Sequence, residues 1–147
     1  MSAPTAKQHV DYWLKGSAEA MKTMRDLLGK KNRTYAMFFG HLAIEKMLKA
    51  VCAVRRIPVP TAGARGHDLV YIAGRCGLTL TPQETIELIT IKVFNIEARY
   101  DDYKQRFHVL CTPQYVKTWT EIITKWYKDL KTIVVSERAY LPNNSPI

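Results

Sequence analysis

The sequence predicts an all-α, up-and-down bundle of about five helices. Three observations carry that fold class. Apolar residues recur at intervals of three and four through most of the 147 positions, alternation with a period of two is nowhere sustained, and helix-start signatures sit where the apolar periodicity begins. The length fits a single domain, expected over residues 1–135, with a flexible, proline-broken tail over 136–147.

The first helix is expected over about 6–28. Thr5-Ala6-Lys7-Gln8 has the spacing of a capping box, Val10, Leu14, Ala18, Met21 and Leu28 follow at helical intervals, and Gly29 can close the C-terminus. Lys30-Lys31-Asn32 is a short basic turn. A second helix runs from about Arg33 to Arg56, and its first half, Tyr35 to Ile44, is apolar nearly all the way round. Such a helix must be covered on most sides, which makes it the central element. Pro58, Pro60, Gly63 and Gly66 turn Ile57–Gly66 into a long loop.

His67 to Cys76 reads as a short third helix ended by Gly77. Thr81-Pro82-Gln83-Glu84 combines an N-cap threonine, a proline at the first helical position and a glutamate three later. Ile86, Ile89, Val93, Ile96 and Tyr100 then set a long fourth helix. The same spacing continues through Tyr103 and Phe107, so periodicity does not say where it stops. Thr112-Pro113 restarts the chain, with Val116, Trp119, Ile123, Trp126, Leu130 and Ile133 as the inner face of a fifth helix over about 113–134.

Charge narrows the function classes. The chain carries 22 basic and 13 acidic residues, a formal net charge of +9, and the first 70 residues hold 12 of the basic and 5 of the acidic ones. That excess points to an anionic partner, with RNA, DNA or a nucleotide as the obvious candidates. A second helix of this length is about 36 Å long, so the Lys31 turn and the Arg55–Arg65 loop fall at opposite ends of the bundle. Only an extended track, or a dimer, would join them.

No apolar run approaches the ~20 residues of a membrane helix, and Met1–Gln8 lacks the apolar core of a secretory signal. Cys52, Cys76 and Cys111 are widely spaced with no Cys-x-x-Cys pair. The expectation is a cytoplasmic protein without membrane contact, with the cysteines as small core residues.

Two constellations carry possible chemistry. His41, Glu45 and Lys49 are four apart in succession and share one stripe of the central helix, with Lys46 beside them. They read either as a structural network, Glu45 bridging a lysine and a distant arginine, or as a polar pocket for phosphate or a partner subunit. Two ligands are too few for a metal and no Glu-x-x-His occurs, so neither metal nor cofactor is expected.

The second constellation runs from Glu97 to His108. Arg99, Lys104 and Arg106 can clamp phosphate, Tyr100 and Tyr103 can stack on a base, and His108 can move a proton near neutral pH. Tyr100, Tyr103 and Phe107 also fall at core spacing. No phosphate-binding glycine loop, Gly-x-Ser-x-Gly elbow or helix-turn-helix is present.

Tyr12-Trp13-Leu14, His41-Leu42-Ala43-Ile44-Glu45-Lys46-Met47-Leu48-Lys49-Ala50, His67-Asp68-Leu69, and Glu97-Ala98-Arg99-Tyr100 with Asp102-Tyr103-Lys104 together resemble the HEPN domain family, from about residue 9 to residue 132. The resemblance implies a helical bundle with a four-helix core that usually dimerises. It also implies nucleotide or RNA binding and, in many prokaryotic members, the toxin half of a toxin–antitoxin pair with a nucleotidyltransferase partner.

The active branch of that family is similar to a metal-independent ribonuclease with an arginine, four to six residues, and a histidine. Here eight residues separate Arg99 from His108, and an unbroken helix would turn about 900° between them, placing them on opposite sides, whereas a bend near Asp101-Asp102 would bring them closer. The leading expectation is therefore a homodimeric binding or toxin–antitoxin module without the standard ribonuclease site. In it Lys46, Lys49, Tyr103, Lys104 and Arg106 meet RNA or nucleotide, and Arg99 pairs with Glu45 in a network with His41. The alternatives are an endoribonuclease with Arg99 and His108 as its catalytic pair, and a non-catalytic protein adaptor.

Overall fold

A computed structural model describes residues 2–61 and 63–147, and its helices begin where the capping signals sit. Helix α1 (Ala6–Gly29) starts at a complete capping box: the Thr5 hydroxyl accepts the Gln8 N–H at 3.1 Å and the Gln8 side chain accepts the Thr5 N–H at 2.8 Å. Gly29 does not close it. Lys31 takes the left-handed conformation (φ 59°), with its N–H donating to the Leu28 carbonyl and that of Asn32 to Leu27. These paired bonds satisfy the last carbonyls even without glycine at the positive-φ position.

Helix α2 (Arg33–Val54) is the central rod, about 33 Å long, and it packs against α1 and every later α-helix. Small residues let it approach its neighbours. A side chain at Gly40 would place its Cβ 2.6 Å from Ile123 Cδ1, and the buried Ser17 hydroxyl donates to the Ala43 carbonyl at 2.6 Å. Ser17 thus occupies the α1 interface, whereas Ala18 points to solvent.

The proline-rich loop ends in a short 3-10 turn (Ala64–His67), reached through Gly63 at φ 68° and ψ −167°, a conformation open essentially to glycine alone. Asp68 then caps α3 (Leu69–Arg75), its carboxylate accepting the Tyr71 N–H at 3.2 Å.

The long fourth helix of the sequence reading is two helices, which makes six in all among the described residues. Helix α4 (Pro82–Glu97) gives way at Ala98–Tyr100, where Tyr100 is extended (φ −98°, ψ 129°), and α5 (Asp101–Leu110) begins with two aspartates in its first turn. Carboxylates there favour a new N-terminus. The break aims Phe107 of α5 at Phe94 of α4, ring centroids 5.4 Å apart.

Which face of α4 is buried also differs from the simplest reading of its periodicity. Leu88, Ile91, Phe94 and Ala98 enter the core, while Ile86, Ile89, Val93 and Ile96 stand in solvent. Helix α4 is apolar on two faces, and the chain covers one.

Helix α6 (Pro113–Arg138) runs four residues beyond the expected end, because Glu137 and Arg138 form two-pronged pairs with Arg55 and Asp11. The segment after it, expected as a flexible tail, lies against the N-terminal turn. The Ala6 N–H donates to the Ser145 carbonyl at 2.7 Å, Lys7 to Asn143 at 2.7 Å, and Thr5 bridges Pro146. All three cysteines are buried and unpaired. Among the described residues no helix is long and apolar enough to cross a membrane.

Candidate functional site

The first constellation assembles deep in the bundle. Glu45 is 4% exposed; one carboxylate oxygen accepts the Lys49 ammonium at 2.9 Å and the other accepts the His67 Nδ1–H at 2.9 Å. The i, i+4 spacing on α2 supplies Lys49, whereas His67 arrives from the turn before α3. The Lys49 ammonium also lies 5.4 Å from the Trp13 ring centre. The cluster therefore pins α1, α2 and the end of the loop together.

His41 lies one turn before Glu45, with Nε2 3.6 Å from the carboxylate, and neither ring nitrogen has a hydrogen-bond partner. Burial pushes its pKa down to about 4, and the nearby Glu45 charge only partly opposes that. His41 is neutral at pH 7 and makes no ion pair there.

Arg99 is not in this network, which corrects the expected pair with Glu45. The break between α4 and α5 leaves it exposed, its Nε donating to the Asn95 carbonyl at 2.9 Å and its guanidinium over Phe38 and Tyr100 at 5.6 and 5.5 Å. His67 takes the place assigned to the distant arginine. The sequence signal was His67-Asp68-Leu69, which marks a helix start but does not name a partner.

An open cleft of about 440 Å³ lies between the start of α2 and α5, lined by Asn32, Thr34, Tyr35, Asp101, Lys104, Gln105 and His108. The Lys104 ammonium donates to the Tyr35 hydroxyl at 2.7 Å and sits 4.9 Å from its ring centre. That hydrogen bond raises the Lys104 pKa, so the ammonium keeps its charge. The α2 N-terminus opens here, capped by Asn32 at a long 3.5 Å, and such an end favours anions.

Lys31 and Arg33 continue the basic surface into an adjoining cleft of about 450 Å³ with Lys117 and Glu121. Asp101 is the acidic wall of the first cleft. Tyr35, 69 residues from Lys104, was not foreseen; in the sequence it is one aromatic in an apolar run.

The expected binding residues are divided by the fold. Lys104 lines the cleft. Tyr103 and Arg106, 5.4 Å apart in a cation–π pair, lie on roughly the opposite side of α5. Lys49 is buried with Glu45, and the stem of Lys46 covers Gly16 of α1.

The two residues of the expected catalytic pair are also apart. His108 lines the cleft about 10 Å along α5 from Asp101, whereas Arg99 precedes the helix and packs on Phe38. Among the described residues no group of three or more His, Cys, Asp and Glu side chains is placed to hold a metal ion.

The sequence matches a family model described as HEPN domain over residues 10–133. No curated protein and no solved structure matches it.

Proposed function

The chain belongs to the HEPN domain family, and from that premise we propose a non-catalytic module that binds RNA or a nucleotide through the α2–α5 cleft. It acts as a homodimer in the cytoplasm, within a toxin–antitoxin-type pair completed by a nucleotidyltransferase. The observation that carries the binding reading is the Lys104 ammonium, held by Tyr35 at the open N-terminus of α2. Lys31 and Arg33 extend that positive surface, and phosphate contacts of this kind supply most sequence-independent affinity for RNA. Free buried cysteines support the reducing compartment.

Single-stranded RNA titrated at several salt concentrations tests the binding. Affinity should fall steeply with salt, and Lys104→Ala should weaken binding and lower the slope of log K against log salt by about one. A flat salt response, or a Lys104→Ala variant equal to the parent, overturns this reading. Arg106→Ala, on the far side of α5, should change neither quantity. The partner is checked separately by coexpression with an adjacent nucleotidyltransferase gene, where copurification is the expected result.

His108 in the same cleft favours one second reading, the metal-independent endoribonuclease with Arg99 and His108 as its pair. Because these residues are apart within one chain, that activity needs two copies to complete a site. RNA cleavage in the presence of a chelator, lost in His108→Ala, would establish it, and intact RNA would leave binding alone.

A further inference from the structure

Two of the three cysteines meet where the end of α2 packs on the end of α3. Cys52 lies in the last turn of α2, Cys76 follows the last residue of α3, and both are fully buried. Their sulfurs reach neighbouring carbonyls of one turn. Cys52 Sγ lies 4.0 Å from the Ile72 carbonyl and Cys76 Sγ lies 3.4 Å from that of Ala73. The two thiols are also hydrogen-bonded to each other. Burial accounts for either one as a small apolar side chain, but not for their mutual contact or for the cations around them.

Arg55 follows Cys52 by three residues. Its guanidinium is held by Glu137 at 2.9 Å and donates to the Cys76 carbonyl at 2.6 Å. Lys49 precedes Cys52 by three residues, and Arg75 immediately precedes Cys76. The hydrogen bond from Cys76, helped by Arg75, Arg55 and Lys49, holds the Cys52 thiol below its ordinary pKa against the effect of burial. The same bond, with burial, raises that of Cys76. Cys52 is thus the thiolate of the pair and Cys76 its proton donor.

The fold also supplies a way in. Helix α3 is only seven residues long, follows the proline-rich loop, and is succeeded by Gly77 at φ 85°. A short element between loops opens locally while the rest of the fold stands, which admits a molecule as small as hydrogen peroxide.

We propose that Cys52 and Cys76 form a dithiol site for hydrogen peroxide, whose oxidation staples α3 to α2 with a disulfide. The Cys52 thiolate attacks one peroxide oxygen. An S–O bond forms, the O–O bond breaks, and the departing hydroxide takes up the proton that Cys52 has lost, giving water. The Cys76 sulfur then attacks the sulfur of the Cys52 sulfenic acid. The S–S bond forms, the S–O bond breaks, and the second hydroxide leaves with the Cys76 proton as water. The two sulfurs together lose two electrons and the peroxide gains them.

Cys111 is the internal contrast. It lies beside Glu97 and Arg33, with burial pushing its thiol up to about 11 and no second thiol next to it. Arg33 is about 28 Å along α2 from Cys52, so Cys111 belongs to the other end of the bundle. The α2–α5 cleft is also at that end, and the dithiol site does not depend on what the cleft binds.

Peroxide treatment of the folded full chain, alkylation of the remaining thiols and peptide mapping by mass spectrometry test the proposal. The Cys52 and Cys76 peptides should be recovered linked and two hydrogens lighter, with Cys111 alkylated, and dithiothreitol should reverse the link. The oxidised chain should melt several degrees above the reduced one, because the bond closes the loop between α2 and α3. Cys76→Ala should stop at a Cys52 sulfenic acid trapped by dimedone, and Cys111→Ala should link as the parent does. If Cys76→Ala does not fold, the wild-type map decides alone.

Three thiols that all remain open to alkylation would overturn the site. So would oxidation of Cys111 ahead of the pair, or a Cys52–Cys76 link that forms only after unfolding in urea. An oxidised chain that melts no higher than the reduced one would overturn the staple.

Discussion

The Glu45 carboxylate accepts the Nδ1–H of His67 at 2.9 Å, tying the middle of the central helix to the end of a loop 22 residues further along the chain. The same carboxylate neutralises the buried Lys49 ammonium. Glu45→Gln keeps the shape but leaves that ammonium without a counter-charge. Breaking a buried pair in this way should destabilise the domain by about 3–5 kcal/mol in urea denaturation. Glu45→Met combined with Lys49→Met should recover most of the loss, because neither charge then needs burying. A Glu45→Gln variant as stable as the parent would remove the network from the account of the fold.

His41 makes the fold sensitive to acid. Its pKa is about 4 when folded and 6.5 as a reference, so between those values the unfolded chain binds a proton that the folded chain does not. The His41 contribution to stability is full above about pH 6.5, declines as pH falls and is lost by about pH 4. The slope should be at most about 1.4 kcal/mol per pH unit. His41→Phe should flatten the pH dependence of the unfolding free energy over that window, and an unchanged slope would assign the sensitivity elsewhere.

Arg99 is a surface residue that packs on two rings. Arg99→Ala should change the unfolding free energy by no more than about 1 kcal/mol, the scale of an exposed cation–π contact. The buried pair expected from the sequence would instead cost about 3–5 kcal/mol. One denaturation curve separates the two.

Gly40 makes room for side chains from two neighbouring helices. Its missing side chain leaves room for Ile123 of α6 and Met24 of α1, whose sulfur would lie 3.1 Å from an added Cβ. Gly40→Ala should gain helix propensity of about 1 kcal/mol yet lose more to overpacking, for a net destabilisation of about 1–2 kcal/mol. Thermal melting should show this as a fall of a few degrees. A higher melting temperature would mean that Ile123 moves aside freely.

Much of this fold was legible in the residues because the responsible interactions are local. The Thr5, Thr81 and Thr112 starts each need only a side chain and a backbone N–H three positions on, and all three form as read. The apolar repeat of α6 likewise decided its inner face. The break at Ala98–Tyr100 was legible only as one alternative, a bend near Asp101-Asp102, because that pair is tolerated in a continuing helix as well as at a new start. The break sets Phe107 against Phe94, a contact between residues 13 positions apart that periodicity does not reveal.

The site divides in the same way. Membership of one helix was enough to place His41, Glu45 and Lys49 on a single stripe. The identity of the second partner of Glu45, and of the hydroxyl that holds Lys104, depended on residues 22 and 69 positions away. By itself, then, the sequence determined helices, caps, family and the sign of the charge, all set by neighbours within a turn or by composition. Only the tertiary structure decided that Tyr103 and Arg106 face away from Lys104, that Arg99 leaves the core, and that one apolar row of α4 remains uncovered. Helical periodicity says which residues share a face, and packing between distant segments says which face is inside.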